Sequence, residues 1–286
     1  MSDVVLLSLA DASGCAQPRV PVLECAEALR AGGATVELAT AHDDSEVDAA
    51  VKPVEAGQTR LVVAAATDAE VRAVVRRLVR RYAPPPSKRP AELPAGRTVF
   101  DLPPLAVLPL APAMPDLVGE LGLPRTPADV AATTLAGRAR RLDLLRTDAG
   151  SVTLLGCLLG GIDGEGTAVA WRARVEVDDA VLSDGAEPLL ACAIRSAGAS
   201  EVDGLPLLPA AEPDDGSVHV AVAVAQMRSR PLRRARVRFE VRRARGRAVA
   251  VSPHEAIPLV DDAVAGVLSR KRAWWVEAGC WAAYVM

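Results

Sequence analysis

The side chains with reactive or metal-binding groups are few in this sequence and lie far apart. No cysteine forms a Cys-x-x-Cys pair, and no histidine stands at a metal-ligand spacing from a cysteine. We therefore expect no zinc site, and we predict that the cysteines are small buried side chains in a reducing cytosol. No Ser/His/Asp or Cys/His arrangement indicates nucleophilic catalysis. The residues concerned are Cys15, Cys25, Cys157, Cys192 and Cys280, with His42, His219 and His254.

A glycine-rich segment, Gly160–Thr167, superficially resembles a phosphate-binding loop. A strand-like run follows it, whereas a phosphate loop leads into a helix whose N-terminal N–H groups face the anion. The sequence therefore favours a hairpin turn here.

An arginine-rich stretch runs from Arg228 to Arg247. Such a stretch could bind nucleic acid, an anionic membrane surface or a phosphorylated ligand. It lacks the interleaved aromatic residues on which single-stranded bases stack, so no nucleic acid is expected. The favoured interpretation is the solvated face of an antiparallel hairpin. The alternation within it predicts that Val237, Phe239 and Val241 point inside.

Three tryptophans, Trp274, Trp275 and Trp281, lie near the end of the sequence. They favour packing in a core or between domains, and a membrane-contacting patch is the alternative.

The composition is typical of a soluble globular protein. Half of the 286 residues are apolar and the net charge is −3. The length allows two domains, each with its own core. No stretch reaches about 18 uninterrupted apolar residues, as a membrane-spanning helix would need. The start of the sequence lacks the charged segment and long apolar run of a signal peptide. We expect a cytoplasmic protein, free or bound peripherally at a membrane.

In the first part of the chain, strand-like apolar runs alternate with helical patterns. The clearest helix covers Glu70–Tyr82, where apolar residues recur on one face. This alternation predicts a parallel α/β sheet with right-handed crossovers. Prolines between Ala83 and Pro104 predict an exposed loop. The predicted strands are Val4–Leu9, Thr35–Ala39, Leu61–Ala66 and Leu105–Leu110, and the other predicted helices begin at Pro21 and cover Asp43–Val54 and Asp116–Gly122.

After about residue 140, short strand-like runs are separated by Gly, Asp and Pro turns. This spacing predicts an antiparallel sandwich. We therefore predict a Rossmann-like α/β domain of nucleotide-binding type over residues 1–135, including the proline-rich loop 83–104, and a β-sandwich domain over residues 136–286. The predicted sandwich strands are Ser151–Leu159, Ala168–Val177, Leu189–Ser196, Ser217–Ala225, Ala235–Val241 and Ala248–Val251.

Motifs along nearly the whole chain resemble, in the same order, those of the diacylglycerol kinase and sphingosine kinase family. Leu105–Leu110, Leu121–Pro124 and Gly137–Leu144 look like the family's strand ending in Pro-Leu-Gly-Thr-x-Asn-Asp, its Leu-Gly-Leu-Pro and its Gly-x-x-Arg-x-Ile-Asp step. Leu207–Gly216 is similar to its Pro-x-Ala-x-x-Asp-Asp-Gly turn, and Ile257–Asp261 to its approach to Asp-Gly-Glu. The resemblance implies the NAD kinase/diacylglycerol kinase-like fold. It also implies ATP-dependent, magnesium-assisted phosphorylation of a lipid hydroxyl as the ancestral reaction.

The resemblance also implies roles for individual residues. Asp261 falls where the family activates the lipid hydroxyl, and Asp143 and Asp215 fall in its magnesium-linked network. If this chemistry is kept, we expect four acids to converge on one cleft: Asp68, Asp116, Asp143 and Asp261. By residue type alone, such aspartates are also ordinary helix caps and turn residues, and the sequence favours that structural alternative. The positions implied for the nucleotide are Ser13, Gly14, Thr67, Asp68 and Asp116.

Departures from the family pattern fall on the nucleotide-handling segments. The phosphate loop Gly-Gly-Asp-Gly-Thr falls here on Ala66–Glu70, so three glycines are replaced by residues with a Cβ. Glu70 also brings a negative charge, and two like charges roughly 4 Å apart repel by about 4 kcal/mol at an intermediate dielectric. Ala111–Asp116 replaces Gly-Thr-x-Asn-Asp, and Asp-Gly-Glu reads Asp261-Asp262-Ala263. These changes argue against ordinary ATP binding.

Taken together, the sequence predicts a diverged protein of the diacylglycerol kinase type. The alternative is a non-catalytic relative that binds a lipid, a nucleotide or a partner protein, and an unrelated module for an anionic ligand is a third class. The expected partner is a lipid substrate or an anionic membrane surface.

Overall fold

The protein is described by a computed structural model that covers residues 3–10, 19–55, 57, 59–85, 90–111, 116–161, 168–228 and 236–286. The chain divides into two compact units. The first contains Met1–Leu142 and Gly279–Met286, and the second contains Asp143–Ala278. This differs from the predicted division at 135/136, because the first unit continues to Leu142 and the last residues of the chain return to it. Among the described residues, no helix is both long enough and apolar enough to cross a membrane.

Strands and helices alternate along the first unit, as predicted. Its elements are β1 (Asp3–Leu9), α1 (Val20–Ala31), β2 (Thr35–Ala41), α2 (Asp44–Glu55), β3 (Thr59–Ala65), α3 (Asp68–Tyr82), β4 (Leu105–Pro109), α4 (Asp116–Glu120) and α5 (Pro127–Ala136). Two strands are shared with the second unit: the first unit contains the start of β5 (Ala139–Thr147) and the end of β18 (Arg272–Tyr284). The sheet is parallel in the order β2-β1-β3-β4. Ala283 of β18 continues it, pairing in parallel with Leu105.

Burial on both faces explains why the central residues of β1, β3 and β4 are apolar, whereas the edge strand β2 is more exposed and more polar. Alternate residues of β1, β3 and β4 pack against α1 and α5 in one cluster, which includes Leu6, Leu29 and Leu108. Helices α2 and α3 contact β3. The predicted apolar face of α3 is buried, from Val71 to Val79.

The second unit is built from antiparallel strands. They are the remainder of β5 and β18, with β6 (Val152–Thr153), β7 (Gly156–Leu159), β8 (Ala173–Val177), β9 (Ala180–Asp184), β10 (Leu189–Arg195), β11 (Gly198–Val202), β12 (Leu205–Ala211), β13 (Val218–Arg228), β14 (Arg236–Gly246), β15 (Ala248–Pro253), β16 (Ile257–Asp261) and β17 (Val264–Leu268). Six strands form one sheet in the order β14-β13-β10-β7-β16-β17, and β18, β15, β8 and β9 pair in that order within this unit.

One apolar core joins these two layers. It contains Ile194 and Val222 of the six-stranded sheet together with Val175, Val249 and Trp274 of the other layer. The second unit is therefore a β-sandwich, and the predicted fold class of an α/β sheet followed by a sandwich is confirmed.

The outer face of the six-stranded sheet is covered in part by the hairpin β11–β12. Leu207 and Leu208 of the hairpin pack against Ala221 and Ala223 of the sheet. Phe239 lies on this outer face and is 53% exposed, so the prediction that it points inside was wrong. Val241 is partly buried against the outer cluster. The side chain of Val237 lies outside the described part of the chain.

The cysteines and tryptophans occupy the positions expected of core residues. The described cysteines are free and buried, and burial raises the pKa of Cys25 to about 11 and of Cys192 to about 12. Trp274 and Trp281 are fully buried, whereas Trp275 is half-buried and donates from Nε1 to Glu277 Oε1 at 2.8 Å. Cys15 and residues 162–167 lie outside the described residues.

Candidate functional site

The loop between β3 and α3 lies where the resemblance places a phosphate loop. The chain leaves the sheet at Ala65 and enters α3 at Asp68, with Thr67 as the N-cap residue. A carboxylate oxygen of Glu70 accepts the backbone N–H of Ala66 at 2.7 Å. Glu70 is the third residue of α3, and it reaches back as the glutamate of a capping box does, but to the N–H of the residue before the N-cap. The chain's own carboxylate therefore occupies a main-chain donor of this loop.

The predicted nucleotide residues differ in how they are placed. Thr67 is exposed, whereas Asp68 is only 3% exposed in the first turn of α3, where a negative charge is favoured by the helix dipole. Asp116 is the first residue of α4, and its side chain is outside the described part. Ser13 and Gly14 lie outside the described residues. The nucleotide roles of these residues stay predictions.

Asp143 and Asp215, predicted to hold magnesium, meet at one turn of the second unit. Asp143 lies on β5 and is 2% exposed; its backbone N–H donates to Pro213 O at 2.7 Å, and its Oδ2 accepts the N–H of Gly216 at 2.6 Å. Asp215 lies in that same turn.

The carboxylate of Asp215 is surrounded by donors of the protein itself. Oδ1 accepts the N–H of Ser217 at 2.9 Å, and Oδ2 lies 2.8 Å from His219 Nε2 and 3.2 Å from Arg245 Nη2. Among the described residues, no group of three acid, histidine or cysteine side chains is placed to hold a metal ion. The metal role of Asp143 and Asp215 stays a prediction.

Asp261, predicted to activate a lipid hydroxyl, is buried at the end of β16. Its Oδ1 accepts the hydroxyl of Thr153 at 2.7 Å, and 5% of the residue is exposed. Its catalytic role stays a prediction. Asp68 and Asp116 belong to the first unit and Asp143 and Asp261 to the second, and the convergence of these four acids also stays a prediction.

The neighbouring Asp262 was not singled out by sequence reasoning, yet it organises this region. Its Oδ1 accepts the N–H groups of Leu155 and Gly156 at 2.9 and 3.1 Å, and its Oδ2 accepts the N–H of Leu154. Asp262 and Ala263 have positive φ angles of 44° and 64°, as in the two-residue turn of a tight hairpin. In the sequence, the turn at Asp262 is indicated by the Asp-Asp pair at a break between two strand-like runs, and nothing nearby indicates its contacts with residues 154–156.

An apolar cavity of about 280 Å³ opens in the second unit, beneath the β11–β12 hairpin. Its wall includes Gly160, which has a φ of 118°. A Cβ at this position would lie 2.5 Å from Leu190 O, so a side chain is excluded there. Among the described lining residues, Asp203 is the one that carries a charge. The apolar lining residues include Leu158, Leu190, Val202, Leu205, Ala223 and Phe239.

Described arginines of the β13–β14 hairpin are bound within the protein. Arg242 pairs with Glu187 and Glu240, which raises the pKa of its guanidinium, and Arg243 donates from Nε to Leu207 O at 2.6 Å. Arg243 thereby holds the β11–β12 hairpin on the sheet. These contacts agree with the favoured interpretation of an ordinary hairpin.

No protein-family model matches the sequence, and no curated protein matches it. Solved structures do share its fold, including three from Bacillus anthracis str. Sterne: one described as a diacylglycerol kinase, and two that carry this description provisionally. Their TM-scores are 0.66, 0.69 and 0.65 at 13%, 12% and 13% identity. Each match covers 100% of this chain and 97%, 97% and 98% of the other. The chain has the fold of these proteins over its whole length.

Proposed function

From a fold shared with diacylglycerol kinases, we propose that this chain binds a lipid through its hydrocarbon chain in the cavity of the β-sandwich unit, and that it does not transfer phosphate from ATP. The observation that carries the proposal is the apolar cavity of about 280 Å³. Each methylene removed from water contributes about 0.8 kcal/mol, so a chain of several methylenes seated there would be held firmly.

The lining also restricts the lipid headgroup. Asp203 stands in the wall formed by the turn of the β11–β12 hairpin, and its carboxylate repels an anionic headgroup nearby. A lipid with an uncharged hydroxyl headgroup, such as a monoacylglycerol, fits this lining better than a fatty acid does. A hydroxyl can also donate a hydrogen bond to a carboxylate.

The residues of the β3–α3 loop do not fit a triphosphate. A phosphate is held at a helix N-terminus by free main-chain N–H groups. Here the Glu70 carboxylate accepts the N–H of Ala66 at 2.7 Å and places negative charge at that position. This contact supports the proposal that ATP-dependent phosphorylation has been lost.

An active lipid kinase is the second candidate function. It is favoured by Asp143 and Asp215, which both contact the turn around Gly216, as a site for a metal-linked network would require. The occupation of both Asp215 oxygens by donors of the protein weighs against it.

Calorimetric titration with a monoacylglycerol below its critical micelle concentration tests lipid binding. The wild-type chain should bind it, and Phe239→Asp should bind at least about ten-fold more weakly, because a charge at the cavity wall opposes an apolar chain. Phe239 is 53% exposed, so the variant should fold. Val181→Asp is the matched control, since Val181 is 50% exposed on β9 and does not line the cavity.

Thermal unfolding with Mg-ATP separates the two candidate functions. A ligand that binds only the native state raises the melting temperature by mass action. We expect no rise at millimolar Mg-ATP and a rise with monoacylglycerol. A rise with Mg-ATP, together with transfer of labelled phosphate to the lipid, would establish the kinase instead. If the wild-type chain shows neither binding heat nor a higher melting temperature with monoacylglycerol, the proposal that the cavity binds a lipid is refuted.

A further inference from the structure

The two edges of the six-stranded sheet differ in how they are protected. The outer strand β14 carries several arginines, and charged side chains are a common protection of an edge strand against pairing with another chain. The opposite edge is β17, whose sequence Val-Ala-Gly-Val-Leu has neither charge nor proline. Within the described part of the chain, β17 pairs with β16 alone. An unprotected apolar edge of this kind is a template for a further strand.

The register shows which backbone groups of β17 face outward. Asp261 pairs with Val264 across a two-residue turn, Leu259 with Gly266 and Ile257 with Leu268. In a two-residue hairpin these are the hydrogen-bonded pairs, and the residues between them point their N–H and C=O groups away from the partner strand.

The contacts of Pro258 agree with this alternation. Its carbonyl accepts the N–H of Gly160 next to β7, on the side away from β17. The N–H and C=O groups of Ala265 and Val267 therefore point to the open edge of the sheet.

The side chains at this edge are apolar and exposed. Val267 is 60% exposed and Val264 40%. Gly266 between them has open space around it, since an added Cβ would meet only Leu259 O at 4.0 Å. The edge thus combines unpaired main-chain groups with apolar side chains on both faces of the strand.

We propose that β17 pairs in antiparallel fashion with β17 of a second copy of this chain, with Gly266 opposite Gly266 of that copy. In this register Ala265 exchanges both backbone hydrogen bonds with Val267 of the second copy. The facing glycines form a non-hydrogen-bonded pair, where Cα atoms approach to about 4.5 Å. Val267 then packs beside the small side chain of Ala265, and the two six-stranded sheets become continuous.

Two further observations favour a second copy over other occupants. A two-fold axis at Gly266 sets the outward-facing N–H and C=O groups of Ala265 opposite those of Val267 in the other copy, so these donors and acceptors find partners. A lipid bilayer cannot satisfy the outward N–H and C=O groups of Ala265 and Val267, whereas a strand can.

Sedimentation velocity over a concentration series tests the pairing. The wild-type chain should form dimers, and Val267→Lys should weaken self-association at least about ten-fold, because it introduces the edge charge that β17 lacks. Val181→Lys on β9 should associate as the wild type does. A wild-type chain that stays monomeric throughout, or a Val267→Lys variant that dimerises normally, would overturn the proposal.

Cross-linking tests the register. Gly266→Cys, in a Cys15→Ser background, should fold because its Cβ meets open space, and it should form an intermolecular disulfide under mild oxidation. Val181→Cys in the same background should not. Equal cross-linking of the two variants would reject the register. Vesicle binding by a monomeric wild type that Val267→Lys abolishes would assign the edge to lipid instead of a second copy.

Discussion

Glu70 in the first unit and Asp262 in the second are carboxylates that accept main-chain N–H groups at a bend of the chain. Glu70 receives one N–H, from Ala66, and is half-buried. Asp262 receives three, from residues 154–156, and is 6% exposed. The same type of contact therefore has different structural effects: the buried Asp262 carboxylate joins residues 154–156 to the β16–β17 turn, whereas the more open Glu70 carboxylate binds one N–H just before α3.

The largest effect expected from this comparison is at Asp262. Asp262→Asn should lower the free energy of unfolding by about 3 kcal/mol, because an amide retains one acceptor oxygen and leaves buried N–H groups unsatisfied. Asparagine tolerates a positive φ, so backbone strain does not enter. Urea denaturation measures the change.

Asp261→Asn is the matched control for this prediction. Asp261 is equally buried, but its contact with the Thr153 hydroxyl at 2.7 Å can persist with an amide oxygen, so we expect a loss of about 1 kcal/mol. Equal losses of unfolding free energy at the two positions would show that the three N–H contacts do not make Asp262 more important for stability than Asp261.

A smaller effect is expected at Glu70. Glu70→Ala should lower the free energy of unfolding by about 1–2 kcal/mol, since the N–H of Ala66 loses a charged acceptor. Asp129 provides a comparison, because it stands at the same position of α5 and its carboxylate accepts a hydroxyl of Thr126 at the surface. Asp129→Ala should cost less, about 0.5 kcal/mol. A larger loss at Asp129 would contradict the special role of the Ala66 contact.

A third comparison concerns a carboxylate that binds an arginine instead of the backbone, where the effect on stability depends on pH. Arg77 donates to both oxygens of Asp48, from Nε to Oδ1 at 2.9 Å, and this hydrogen bonding lowers the pKa of Asp48. Because the folded state has the lower pKa, the stabilisation is complete above the ordinary aspartate pKa of about 3.9 and is lost as the pH falls through the folded value.

Asp48→Asn should therefore cost about 1 kcal/mol near neutral pH and almost nothing once Asp48 is protonated in both states. Denaturation of both chains at a series of pH values measures the difference. A difference that stays constant into strong acid would show that the pair contributes through packing and not through charge.

Periodicity predicted the elements well wherever one face of an element meets one core. The apolar stripe of α3 is an example, since Val71, Val75 and Leu78 all lie buried on the side that the pattern indicated. The predicted strand Ser151–Leu159 is instead broken into β6 and β7. The break lies where the N–H groups of Leu154 and Leu155 turn to Asp262, a contact more than one hundred residues away that no local pattern contains.

The alternation of apolar and charged residues in β14 also separated the two faces of this strand, but it did not show which face packs against the core. The core lies on one side of that strand, and the short β11–β12 hairpin covers the other side in part, which leaves Phe239 exposed at a cavity wall. For the candidate site, the resemblance indicated which acids to inspect. It could not reveal that Glu70 turns back to Ala66, because the rotamer of a side chain is not encoded in residue spacing.

The return of residues 279–286 to the first unit has a consequence for synthesis of the chain. Leu102 donates its N–H to Cys280 O at 2.8 Å, and Ala283 lies beside Leu105 in the sheet. Domains usually fold in the order in which the ribosome delivers them. The first unit can complete its sheet only after residues 279–286 have left the exit tunnel, so a stop codon after Ala278 would damage a part of the protein that was translated much earlier.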